Sequence, residues 1–186
     1  MALFVLDICI FFKKQDIMSK KTRENAKKVK QEMKNFAAAL RSYTELKTAA
    51  AWPVMTDEIR SRLEMEYDWF GRNGLAKGML ELKRFMDAAH GQPMFSFQKC
   101  DGFLAGSAVA YCLGMTAEDP VAAGRMAEEF KSDFENRYLN VRLYFDLDTR
   151  NAMISLADGM FQEPSKLRLG VPVIRLDRIY LEFRRI

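Results

Sequence analysis

Between Leu139 and Asp148 the chain alternates apolar and polar side chains without a break. Successive side chains of a strand point to opposite faces. Leu139, Val141, Leu143, Phe145 and Leu147 therefore line one face, and Asn140, Arg142, Tyr144, Asp146 and Asp148 the other. Such a strand buries one side only and belongs to a sheet packed on that side. The two aspartates closing the polar face are either a metal-binding pair or a solvated edge, with Arg142, on the same face, a ready partner for Asp146.

The rest of the pattern is mixed. Val29, Met33, Phe36, Leu40 and Tyr43 recur at helical spacing in a helix from Ser19 to about Lys47, a seam that docks on the body or on a protein partner. Thr56 opens a second helix, with Ile59, Leu63, Tyr67 and Phe70 as its stripe and "GRNG" as its stop. A third helix carries Leu75, Met79, Leu82, Phe85 and Met86 and ends at His90, the only histidine. A cation there suits the helix dipole, which is a simpler role than catalysis. "PMFSFQ" reads as a short strand and Leu104 to Leu113 as a short apolar helix. Further helices are expected from Val121 to about Asn136 and from Thr149 to Phe161. The tail from Lys166 is β-rich; Pro172 argues for an edge, and the adjacent Val173 and Ile174 for a bulge or hairpin.

Charge is uneven. Lys13 to Lys34 holds nine basic and three acidic residues, a net of +6 against +4 for the whole chain. Lys20, Lys21, Arg23, Lys27, Lys28, Lys30 and Lys34 make this the candidate nucleic-acid contact. The apolar opening, "MALFVLDICIFF", is too short to span a membrane and has its lysines on the wrong side for a secretory signal. Met18 is a more usual start for a soluble chain, so residues 1–17 read as an extension. Cys9, Cys100 and Cys112 lack metal or disulfide spacing, which suits free thiols in the cytoplasm. No membrane partner is expected.

Within "GFLAGSAVAYCLGMTAEDPV", the residues Gly106-Ser107, Ala110-Tyr111, Leu113-Gly114, Thr116 and Asp119-Pro120 resemble the palm segment of bacterial C-family replicative DNA polymerases, the DNA polymerase III alpha subunits. The helix pair before it and "YLNVRLYFDLDTRNAMISLADGMF" after it extend the resemblance over roughly residues 59–161. The resemblance implies a nucleotidyltransferase palm with Gly106 and Ser107 at the nucleotide triphosphate. It also implies Asp146 and Asp148 as catalytic carboxylates on Mg²⁺. Asp177 offers a third carboxylate on a later strand, or a salt bridge to its neighbours Arg175 and Arg178.

Departures from the family are specific. "SFQKCDG" stands where the family has a glycine- and arginine-bearing phosphate loop. The family's first metal aspartate falls on Tyr144 in the simplest register, and its fingers, thumb and distant third aspartate have no counterpart here. The expected fold is α+β: several helices on a small mixed or antiparallel palm-like sheet. Residues 1–50 form an N-terminal extension and basic helix, and 51–186 a single domain. The leading expectation is a cut-down, inactive palm-like module that binds nucleic acid or a partner. The alternatives are a small Mg²⁺-dependent nucleotidyltransferase and a helical adaptor that docks through residues 29–43.

Overall fold

Five helices, two strands, a sixth helix and three further strands follow one another along the computed structural model, which describes residues 2–93, 95, 102–126, 128, 131 and 133–186, with backbone alone for 2–21. The fold is α+β, with a mixed sheet. The chain divides into two compact units, residues 1–35 and 36–186. The boundary falls inside the first helix, α1 (Ala2–Ala51), rather than at its end.

Helix α2 (Asp57–Asn73) begins as its sequence demands. Thr56 is extended, and its hydroxyl accepts from the Ile59 N–H at 3.2 Å, with Asp57 and Glu58 in the first turn. Gly74, at φ 66°, supplies the left-handed C-cap that a side-chain-bearing residue resists. Helix α3 (Ala76–His90) then buries Met79, Leu82, Phe85 and Met86. Burying each such side chain contributes about 1.5–3 kcal/mol. Leu40, Thr44 and Thr48 of α1 form a buried row in the second unit, where the threonine hydroxyls return hydrogen bonds to Leu40 and Thr44 carbonyls. Of the expected seam, Leu40 is buried, Phe36 and Tyr43 pack partly against the core, and Val29 is 53% exposed.

The expected apolar helix is two short ones, α4 (Gly102–Gly106) and α5 (Ala108–Cys112), broken at Ser107. Strands β1 (Phe134–Glu135), β2 (Tyr138–Phe145), β3 (Lys166–Arg168), β4 (Val171–Leu176) and β5 (Ile179–Arg185) lie in the order β1-β2-β5-β4-β3. Only β2 and β5 are parallel, and α6 (Leu147–Met160) lies in the connection between them. Positive φ at Asn136 and Arg137, and at Leu169 and Gly170, marks two-residue turns whose twist suits hairpins.

Three expectations on local structure are corrected. Among the described residues no α-helix runs from Val121 to Asn136: Val121 to Gly124 is a turn, with Gly124 at φ 67°, Lys131 lies in a 3-10 turn, and β1 follows. Strand β4 is not an edge, because β3 covers it; Pro172 is tolerated where the ladder to β5 begins only at Val173. Of the bulge or hairpin expected near Val173 and Ile174, the hairpin is what forms: both residues are buried, the ladder passes through them without a bulge, and turns join β4 to β3 on one side and to β5 on the other. The opening strand ends at Phe145, so Leu147 is exposed rather than buried. "PMFSFQ" lies largely outside the described residues.

Helix α3 meets the β4–β5 hairpin so closely that a methyl on Gly78 would stand 2.6 Å from the Leu176 carbonyl and 2.8 Å from Ile179 Cγ1. Gly78→Ala should therefore cost about 1–3 kcal/mol, as overpacking does, although alanine is the better helix former. A urea midpoint at or above that of the wild type would contradict this close packing.

Candidate nucleic-acid interface

Gly106 and Ser107 are buried, and the hydrogen-bond donors beside them already have an acceptor. Glu66 of α2 is 0% exposed and lies on the stripe of Ile59, Leu63 and Phe70. Its carboxylate accepts from the Ser107 hydroxyl at 2.7 Å, the Ala108 N–H at 2.8 Å and the Val109 N–H at 3.0 Å. Arg62, one turn earlier, donates its Nε to the same carboxylate at 2.9 Å. Its Nη2 reaches the Gly106 carbonyl at 2.5 Å, and Nη1 the Arg125 carbonyl at 3.2 Å. Burial pushes the Glu66 carboxyl above its ordinary range, against the pull of Ser107, the Val109 and Ala108 amides and Arg62. A protein carboxylate thus takes up the hydroxyl and amide donors beside Gly106 and Ser107. A charged residue at a core position of an apolar stripe, with an arginine four residues before it, was the overlooked sequence signal.

The neighbouring Asp119-Pro120 connector is also structural. Asp119 accepts from the Trp52 indole N–H at 2.7 Å and from the Val121 N–H at 2.9 Å, which ties the end of α1 to this turn.

The three aspartates separate. Asp146 is the N-cap of α6: its carboxylate accepts from the Thr149 N–H at 2.9 Å and the Thr149 hydroxyl at 2.8 Å. Asp148 is exposed in the first turn of that helix, so the two do not share a strand face. Asp177 lies in the β4–β5 turn at φ 53°. Because Ile179 pairs with Leu139 and Arg185 with Phe145, Asp177 and Asp146 lie at opposite ends of the parallel pair. That separation is roughly 20 Å at the rise of a strand. One metal site cannot draw on all three, and no group of three such ligands gathers among the described residues. Arg142 pairs with Asp133, not Asp146, and Asp133 also accepts from the Phe103 N–H at 3.0 Å. Arg175 pairs with Glu163 at 2.8 Å, and Arg178 reaches the Asn73 carbonyl at 3.0 Å, so the expected bridge from Asp177 to either arginine is not the one formed.

The Thr149 amide, then its hydroxyl, hold the Asp146 carboxyl below its ordinary range. The sign follows directly. The stability that the cap contributes is present above the unfolded-state value and is lost as pH falls through the folded one. Asp146→Ala should lower the melting temperature at neutral pH and remove part of the acid-side decline. An unchanged acid limb would exclude the capping role.

Other expected residues fall as follows. His90 is the exposed last residue of α3, with its ring edge-on to Phe95 at 4.8 Å. Lys20 and Lys21 lie on α1, and Arg23, Lys27, Lys28, Lys30 and Lys34 are all exposed there. Arg23, Lys27, Lys30 and Lys34 follow one another at intervals of four, three and four, which places them on one helical face.

A second cationic surface was not foreseen. On the sheet, Leu139, Val141, Leu143 and Phe145 face the core with Ile179, Leu181 and Phe183. The alternate residues of β2 and β5, among them Tyr138, Asn140, Tyr144, Tyr180 and Arg184, are half-exposed. Tyr138 and Tyr180 stack at 4.8 Å and 27°. The Arg168 guanidinium lies 4.8 Å from the centre of the Tyr180 ring and donates to Asn140 Oδ1 at 3.2 Å. Lys166 is exposed beside it, and Arg175 is 47% exposed. Among the described residues no helix is long and apolar enough to cross a membrane. The sequence matches no protein-family model and no curated protein.

Proposed function

We propose that this chain is a non-catalytic, palm-like module that binds nucleic acid. The exposed cationic run of α1 carries this reading: five lysines and arginines from Arg23 to Lys34 stand in solvent, and four of them share one face. Such a stripe attracts phosphate backbones by displacing their counterions. The diversion of Glu66 onto the amides beside Ser107 and of Asp146 onto a helix cap speaks against nucleotidyl transfer.

Titration of a fluorescent oligonucleotide at low salt tests the reading. Saturable binding that weakens as salt rises, and that needs neither Mg²⁺ nor nucleoside triphosphate, is expected. Binding that requires both, or none at low salt, would overturn it.

A further inference from the structure

We infer that the open face of the sheet is a binding site for single-stranded nucleic acid, with unpaired bases adding to the Tyr138–Tyr180–Arg168 cluster and phosphates held by Lys166 and Arg175. The inference rests on the nucleic-acid reading above and gives it a substrate class and a second surface.

Three observations carry it. The first is half-exposed π-surface: two tyrosine rings already stacked at 4.8 Å, with a guanidinium at 4.8 Å from one of them. Tyrosine on a sheet face needs no such exposure for stability, and a base ring or an arginine plane is its natural further layer. The second is charge. Lys166, Arg168, Arg175, Arg142 and Arg184 share this face with two carboxylates, Glu182 and Glu135, while Glu163 and Asp133 lie at its rim. The third is shape. A cavity of about 240 Å³ lies over Val173 and Tyr180, walled by Lys166, Arg168 and Arg175 and also by Pro164 and Glu163, which pairs with Arg175. It falls below the ~300–1,000 Å³ of small-molecule pockets and suits one base or phosphate of a longer ligand.

Duplex ligands would satisfy the charges and leave the rings unused, because paired bases are stacked on one another. Acidic peptides fail on the same count. Single strands use both features.

The test is anisotropy titration of the full chain with labelled oligothymidylate, the same strand in a duplex, and polyglutamate as competitor. Wild type should prefer the single strand. The double variant Tyr138→Ala/Tyr180→Ala should weaken it roughly tenfold or more, as loss of base stacking does. Lys166→Glu/Arg168→Glu, at exposed positions of an edge strand, provides an independent reading if the tyrosine variant does not fold, and should also bind weakly. Wild-type affinity in the face variants, equal affinity for duplex, or displacement by polyglutamate as readily as by oligonucleotide overturns this inference and leaves the parent reading standing. Failure of wild type to bind any nucleic acid overturns both.

Discussion

Glu66→Ala should destabilise the folded state by about 3–5 kcal/mol, the cost of breaking a buried ion pair from one side. The substitution strips the acceptor from the Ser107 hydroxyl, two backbone amides and the Arg62 guanidinium, whose side chain is only 10% exposed. Folded domains have about 5–15 kcal/mol in total, so the loss would be a large share of it. Arg62→Ala should cost a comparable amount, because it leaves the carboxylate buried without its cation. The apolar double variant Arg62→Met/Glu66→Leu separates two roles. If the pair served only itself, the double variant would recover nearly all the stability. Here it should recover only part, because the Ala108 and Val109 amides remain buried and each orphaned donor costs about 1–3 kcal/mol. Urea denaturation with unchanged slopes measures all three. Full recovery would show that Glu66 does not hold the break between α4 and α5.

The second large effect is electrostatic. Neutralising Lys27, Lys28, Lys30 and Lys34 to glutamine should leave the thermal midpoint nearly unchanged, since all four are exposed. It should make the salt dependence of single-strand binding shallower by about three in log–log slope, because each phosphate contact contributes ~0.7. Affinity at low salt should fall with it. A slope identical to that of the wild type would remove these lysines from the interface.

Several elements could be read directly from the chain. Thr56 with its first-turn acids, Gly74, and the alternation up to Phe145 all carry local signals that tertiary structure leaves intact. The end of that strand did not. Asp146-Leu147-Asp148-Thr149 continues the two-residue alternation, yet also spells a capping aspartate followed by a first-turn acid. Helix initiation won, and with it both aspartates left the strand face. The segment after Pro120 has helical spacing in Met126, Phe130 and Phe134, but Phe134 pairs with Leu139 in a hairpin that only the rest of the sheet can reward. The sheet's cationic face escaped notice for a related reason. Tyr138, Arg168, Arg175 and Tyr180 come from four strands, and sequence spacing does not state which strands are neighbours.

Hydrogen–deuterium exchange with saturating oligothymidylate, in the absence of Mg²⁺, tests the central claim most directly. Amides of Arg23–Lys34 and of the β2, β4 and β5 strands should gain protection, while Ala108 and Val109 should exchange as they do without ligand. Protection confined to Gly106–Val109 and the start of α6, and arising only with Mg²⁺ and a nucleoside triphosphate, would contradict the account.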